Sequence, residues 1–241
     1  MAIIEGGASG SLVDVGSATK AGRVETRPTD VGSLGAYQIC YVSGTMAAGL
    51  AGGATIFSCR WGDSTRSMVV RRVSFLAQNA GTAFTAGLCL FDMIAARAFT
   101  ASDSSGTAVT LTGNQGKKRT SFGSSLVTDM RGSSTAALTV GTRTLDTLAM
   151  STIFGAVHAT STNYLMVPSN NPTVTGTLAA ATATGGARGV DFWYPESAMS
   201  WPLVFVQNEG FIIRATVPAT GTWRFAVEVE WVEIVATGGY N

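Results

Sequence analysis

The strongest pattern along the chain is an alternation of apolar and polar residues near its C-terminus. Over residues 223–231 an apolar side chain stands at every second position. A strand collects such positions on one face, whereas a helix would scatter them around its circumference. The inward set is Trp223, Phe225, Val227, Val229 and Trp231, and the outward charged set is Arg224, Glu228 and Glu230. This segment therefore predicts a half-buried β-strand.

A second strand is predicted just before this one, over residues 211–215, which read Phe-Ile-Ile-Arg-Ala. The connection 217–222 contains Pro218 and Gly221, two residue types that favour turns. Because strands that follow each other through such a turn commonly pair, we expect these two strands to form an antiparallel hairpin.

Further strands are predicted upstream. Residues 56–61 alternate, with Phe57, Cys59 and Trp61 on one face and Ser58 and Arg60 on the other. Residues 68–76 are rich in β-forming side chains. Residues 88–99 also fit helical spacing, but their flanks are rich in Gly and Thr and lack a capping box, which favours a strand or a pair of strands.

Several strands joined by Gly/Ser/Thr loops, without a strong amphipathic helix, predict an all-β fold. We expect a jelly-roll-like antiparallel β-sandwich over residues 37–241. Two long polar connections, 101–119 and 168–189, interrupt it. Connections of this length are usually functional or disordered, and in a structural subunit the functional case is contact with a neighbour. Residues 1–36 differ in being too poor in apolar residues for a core element, so we interpret them as an extended N-terminal arm.

The arm contains two stretches that favour an extended conformation. They are residues 12–15, Leu-Val-Asp-Val, and residues 23–28, Arg-Val-Glu-Thr-Arg-Pro. An arm that finds its partners on a neighbouring subunit explains this mixture of flexible and β-forming sequence. The alternative is a terminus that is disordered or packs on its own domain.

Composition narrows the class of function. Charged residues make up 13% of the 241 residues, about half of the ~25% usual in soluble domains. Charge is depleted where proteins meet, so this composition suits a subunit that hides much of its surface. The net charge of +1 gives no general attraction to nucleic acid or anionic lipid. No apolar run of about 18 residues predicts a membrane span.

Compartment and redox state follow from two further absences in the sequence. The first residues lack the basic and apolar regions of a signal peptide, so we expect synthesis and residence in a cytoplasm until a larger assembly carries the protein out. Cys40, Cys59 and Cys89 are odd in number and too widely spaced for a zinc motif. They are expected to be buried, reduced thiols. We predict no metal site and no cofactor.

Candidate catalytic groups are few. The single histidine, His158, has no nucleophile motif near it and is expected to be structural. Residues 113–120, which include Lys117, Lys118 and Arg119, lack the glycine spacing of a phosphate loop. A solvated loop is favoured there over contact with nucleic acid or an acidic neighbour. We therefore predict no enzymatic activity, no small-molecule substrate and no nucleic-acid partner.

The carboxylates and the aromatic residues each suggest one alternative function. Glu228, Glu230 and Glu233 are the candidates for paired carboxylates that cleave a glycosidic bond, but Glu228 and Glu230 lie on the expected solvent face. Residues 191–196 cluster Trp193 and Tyr194 with two acids, which is conceivable as a platform for stacking sugars. A core strand ending at a proline, or a subunit interface, is the favoured interpretation.

Three stretches resemble a group of virion structural proteins of tailed bacteriophages. The first comprises residues 10–15, running on to residues 20–28. The second is residues 56–61, Ile-Phe-Ser-Cys-Arg-Trp. The third joins residues 207–213, which begin with Gln-Asn-Glu-Gly, to residues 227–233, which contain Trp-Val-Glu. The resemblance covers most of the chain, and its motifs are structural.

The resemblance implies a jelly-roll-like subunit of a phage particle, with the role of a capsid decoration or cement protein on the outer shell. Its implied partners are the major capsid protein and copies of itself, as a dimer or trimer. Arm residues expected to bind these partners are Leu12, Val13, Val15, Lys20, Arg23 and Arg27. The resemblance does not separate head from neck or tail, so a tail or neck-fibre adhesin that binds host receptor or glycan through Trp193, Tyr194 and residues 168–189 is the alternative.

Overall fold

A computed structural model gives the fold. It describes residues 5–6, 11–12, 34–80, 82, 87–157, 165–166, 190–194 and 202–236. Every regular element within these residues is a β-strand. The strands are β1 (Glu5–Gly6), β2 (Ser11–Leu12), β3 (Ala36–Val42), β4 (Ala54–Trp61), β5 (Arg66–Asn79), β6 (Gly87–Ala101), β7 (Thr107–Ala108), β8 (Val127–Gly132), β9 (Thr142–Leu145), β10 (Ser151–Val157), β11 (Leu165–Met166), β12 (Val190–Trp193), β13 (Leu203–Phe205), β14 (Glu209–Thr216) and β15 (Trp223–Val235).

Two antiparallel sheets pack face to face as a sandwich. The seven-stranded sheet has the order β10-β6-β14-β4-β8-β7, and β9 also pairs with β6. The six-stranded sheet has the order β11-β5-β15-β3, and β12 and β13 also pair with β5. β1 and β2 form a separate pair. The predicted all-β, antiparallel sandwich is confirmed.

The core lies between the sheets and is built from the alternating positions that the sequence indicates. In β4, Phe57, Cys59 and Trp61 are fully buried in it, as predicted. In β15 the whole predicted inward set is at most 2% exposed. The rings of β15 meet those of the neighbouring strands, with Tyr37 and Trp231 stacked at a centroid distance of 5.4 Å. Burial of these aromatic side chains, each worth about 1.5–3 kcal/mol, is the main stabilising contribution.

Residues 88–99, whose spacing also fits a helix, lie in one continuous strand, β6. The prediction of a strand is therefore confirmed. This strand pairs with β14 on one side and with β10 on the other. Pairing on both sides satisfies its backbone groups, and this tertiary context decides against a helix.

The predicted hairpin between residues 211–215 and 223–231 is wrong. β14 lies in the seven-stranded sheet between β4 and β6, whereas β15 lies in the six-stranded sheet between β3 and β5. The connection 217–222 therefore crosses from one sheet to the other. Its length is sufficient to cross the roughly 10 Å between packed sheets, and each strand then turns its apolar face to the other across the core.

An insertion between β6 and β9, residues 102–141, extends the sandwich. β7 and β8 belong to it and continue the seven-stranded sheet beyond β4. Side chains on the outward face of that sheet hold the adjoining chain: Arg60 donates through Nε to the carbonyl of Phe99 at 2.6 Å. The guanidinium of Arg143 lies 5.4 Å from the ring centroid of Phe99. Arg60 also donates through Nη1 to Ser102 Oγ at 3.3 Å, so the predicted polar connection 101–119 is anchored on its own sheet at its start.

The proposed arm, residues 1–36, lies almost wholly outside the described residues, apart from β1, β2 and the chain from Leu34. Its boundary at residue 36 stays a prediction. The connection 168–189 also lies outside the described residues.

Candidate interaction surface

β3 forms one edge of the six-stranded sheet, because β15 is the only described strand that pairs with it. Alternate residues of β3 bond to β15, so the backbone groups of Gln38, Cys40 and Val42 point away from it. The N–H of Gln38 donates to the carbonyl of Gly116 at 2.7 Å, and the N–H of Lys118 donates to the carbonyl of Ala36 at 2.9 Å. The loop 116–118 therefore covers the first part of this edge.

The rest of the edge, residues 39–42, has no such cover from the described chain; we call it the edge window. Cys40 and Val42 have no backbone hydrogen-bond partner among the described residues on that side. Cys40 is exposed, and 60% of Val42 is exposed. The window contains no charge, no proline and no bulge, the devices by which proteins usually protect sheet edges. An uncovered edge of this kind is suited to accept a further strand.

Beside the window lies a carboxylate without a cation. Glu228 of β15 stands directly opposite Cys40 in the ladder. Gln38 donates to Glu228 through its side-chain amide. Within the described residues Glu228 takes part in no ion pair, whereas Glu230 pairs with Lys118 at 2.5 Å. Glu228 can therefore form an ion pair with a cation from a partner, in a groove that it shares with Lys117 and Lys118.

The cationic run at 117–119 lies against the chain's own surface. Lys118 pairs with Glu230, as above, and the guanidinium of Arg119 lies 5.7 Å from the ring centroid of Phe122. A shallow groove at this end of the edge is lined by Gln38, Ile39, Cys40, Gly116, Lys117, Lys118 and Glu228. The run therefore helps to close the edge at 36–38.

The three candidate glutamates do not come together. Glu228 and Glu230 lie on the outward face, as the alternation predicts, but Glu233 is fully buried on the inward face. It pairs with Arg66 at 2.9 Å and accepts hydrogen bonds from Ser125 Oγ at 2.9 Å and Leu126 N–H at 2.8 Å. The inward orientation of Glu233 could have been predicted from the sequence, because the alternation that places Trp231 on the inward face reaches Glu233 two residues later.

The aromatic cluster at 191–196 is divided between core and surface. Phe192 is buried, and Trp193 is partly buried against the core and donates to the carbonyl of Val70 at 3.2 Å. Tyr194 is 59% exposed. Asp191 pairs with Arg72 at 2.7 Å. The interpretation as a core strand fits Phe192 and Trp193, whereas Tyr194 lies at the surface beyond the end of β12, and the proline lies outside the described residues.

The prediction of three buried cysteines is wrong for Cys40. Cys59 and Cys89 are buried, and burial raises the pKa of both thiols, that of Cys89 to about 12. Cys40 is exposed because even-numbered residues of β3 face outward at the sheet edge. Partial burial and the charge of Glu228 raise the pKa of Cys40 above its usual value. The protein thus offers one thiol to reagents on the described surface.

The predicted arm contacts fall outside what can be placed. Val13, Val15, Lys20, Arg23 and Arg27 lie outside the described residues, and Leu12 is placed only by its backbone pairing with Glu5. His158 also lies outside them. Their roles stay predictions.

Among the described residues, no group of three or more His, Cys, Asp or Glu side chains is placed to hold a metal ion. The described part of the chain also has no helix of the length and hydrophobicity needed to cross a membrane. Comparison of the chain with protein-family models, curated proteins and solved structures finds no match.

Proposed function

We propose that the chain is a structural virion protein of a tailed bacteriophage that binds the capsid shell and stabilises it, without enzymatic activity. The observation that carries this proposal is the resemblance of three sequence stretches to virion structural proteins. Two of these stretches correspond to β4 and to β14 with β15. They therefore belong to the strands at the centre of the two sheets.

The strand order supports a jelly roll as the finer description of the sandwich. One layer has β3, β15 and β5 beside the short strands β11 to β13, and the other has β4, β14, β6 and β10. From β3 to β6 each successive strand crosses to the opposite sheet, as does β15 after β14. Eight strand positions in two such layers are the arrangement of a jelly roll.

Shell stabilisation follows from linkage. A protein that binds only the assembled shell adds its binding free energy to the stability of that shell. Each copy would bury about 800 Å² per partner on capsid subunits, and repeated weak contacts gain from multivalency. In the arm, Leu12, Val13 and Val15 supply apolar contacts. Lys20, Arg23 and Arg27 pair with acidic groups, each pair contributing about 0–1 kcal/mol.

Deletion of residues 1–30 tests the role of the arm. We expect the truncated protein to remain folded, because the core strands start at β3, and to lose binding to shells in cosedimentation. Circular dichroism and cooperative thermal unfolding check the fold. Tight shell binding by the truncated, folded protein would contradict the role given to the arm.

A binding comparison separates the proposal from the adhesin alternative. Labelled full-length protein is incubated with phage shells that lack it and, separately, with host cell envelopes. Saturable binding to shells supports the proposal. Binding to envelopes without binding to shells would assign the protein to the tail or neck fibre instead.

A further inference from the structure

The boundaries of the edge window restrict what can occupy it. β3 continues as extended chain beyond Val42, since the N–H of Met46 donates to the carbonyl of Trp223 at 2.7 Å. If two copies paired through β3, with Cys40 of one opposite Val42 of the other, residues 44–46 of each would face residues 36–38 of its partner. The loop 116–118 already occupies that place. A single extended segment that leaves the edge on both sides avoids this collision.

The chain has a segment of the required kind. Residues 23–27, Arg-Val-Glu-Thr-Arg, alternate charged side chains with Val and Thr, and a proline follows that limits the length of a strand. In an added strand, Arg23, Glu25 and Arg27 share one face. An arginine on the outward face is long enough to approach Glu228, which forms no direct ion pair within the described residues and stands opposite Cys40 in the ladder. The segment can therefore place a guanidinium near a carboxylate that forms no ion pair with the described residues.

The point at which the chain enters the six-stranded sheet favours a segment from another copy. The chain enters the sheet at Gly35, whose carbonyl accepts a hydrogen bond from the N–H of Glu233 at 3.0 Å. The loop 116–118 lies between this entry point and the window of the same chain. A neighbour's arm reaches the window without passing around that loop, and its residues 13–33 can span several tens of Å at about 3.3 Å per residue.

We propose that the edge window of each copy accepts residues 23–27 from the arm of a neighbouring copy as an added antiparallel strand, with an arginine of that segment facing Glu228. This inference rests on the self-association that the proposed function includes. It assigns Arg23 and Arg27 to a neighbouring copy, and it leaves Leu12, Val13 and Val15 for the capsid. The chain would thereby link its copies through backbone hydrogen bonds at an otherwise open sheet edge.

Disulfide trapping in the purified full-length protein tests the exchange. Cys40 is the exposed native thiol, and Cys59 and Cys89 are buried. Residues directly opposite in a hydrogen-bonded antiparallel pair have Cα atoms about 5.5 Å apart, within the range that a disulfide spans. Variants R23C, E25C and R27C are oxidised with glutathione disulfide at mildly alkaline pH. Variants V24C and T26C, whose side chains face the other way, are the matched controls.

We expect at least one of R23C, E25C and R27C to form covalent dimers and larger species at least about tenfold faster than V24C and T26C. The C40S substitution in the same variant should abolish them. E228Q should lower the ratio of the rate to that of V24C by up to about fivefold, the factor that corresponds to one exposed ion pair, because this ratio cancels the effect of Glu228 on the reactivity of Cys40. Equal rates at all five positions, or cross-linking within single chains only, would overturn the proposal.

Shell binding is measured on the same proteins. The arm exchange and the capsid-binding function can therefore be contradicted independently of each other. Trapped exchange without shell binding would retain the arm exchange and remove the capsid function. Shell binding without trapped exchange would retain the capsid function and overturn the arm exchange.

Discussion

At the scale of single residues, burial of charge decides which glutamate matters for stability. Glu233 is fully buried, and each of its carboxylate oxygens has a donor, Arg66 on one and Ser125 and Leu126 on the other. These bonds tie β15 to the start of β5 and to the part of the insertion directly before β8. Hydrogen bonds to a charged group contribute about 1.5–3 kcal/mol each when the group is desolvated.

The substitution E233Q is therefore expected to lower the free energy of unfolding by about 2–3 kcal/mol. The amide NH2 group of the glutamine would face one of the groups that donate to Glu233, and Arg66 would lose its counter-charge. Urea unfolding measures the change as a lower midpoint at an unchanged slope. E228Q is the matched control on the same strand. Its side chain is partly exposed, so we expect a change within about 0.5 kcal/mol. Equal effects of both substitutions would contradict this account of Glu233.

At the scale of elements, the sequence predicts strands well where their two faces differ in polarity. The alternation in β15 and β4 identified the inward residues correctly because one face of each meets the core. The connection 217–222 carried no comparable signal, since turn-forming residues suit a hairpin and a crossing between sheets equally. The open edge at β3 was also invisible in the sequence, because it depends on strand order and on where the loop 116–118 lies.

A buried ion pair fixes the insertion to its sheet at the element scale. Arg143 of β9 pairs with Asp103, and both side chains are at most 1% exposed. Asp103 also accepts the N–H of Gly141 at 2.8 Å, and Arg143 donates to Thr55 Oγ1 at 3.2 Å. Removing one partner leaves the other as an uncompensated buried charge, whereas removing both charges does not.

We therefore expect R143M and D103N each to reduce the free energy of unfolding by about 3–5 kcal/mol, and the double variant D103N/R143M to lie within about 1 kcal/mol of the parent. A double-mutant cycle from urea unfolding measures the coupling. If the loss in the double variant equalled the sum of the losses in the two single variants, the two side chains would contribute independently. That result would contradict this interpretation.

At the scale of the whole molecule, low charge and a sheet edge that the described residues leave uncovered suit the protein to assembly. Only 13% of the residues are charged, and the edge window adds backbone groups that can be paired by another chain. Neither property by itself identifies the partner. The capsid partner is proposed from the sequence stretches interpreted as resembling virion structural proteins, and binding to shells is the direct consequence of that proposal.

The central claim is tested most directly by heating phage shells that lack the protein, with and without a saturating amount of it, and following disruption by light scattering. We predict saturable binding at a fixed ratio to capsid subunits and a higher disruption temperature, since a ligand of the intact shell alone stabilises it. Shells that neither bind the protein nor change their disruption temperature would contradict the proposed function.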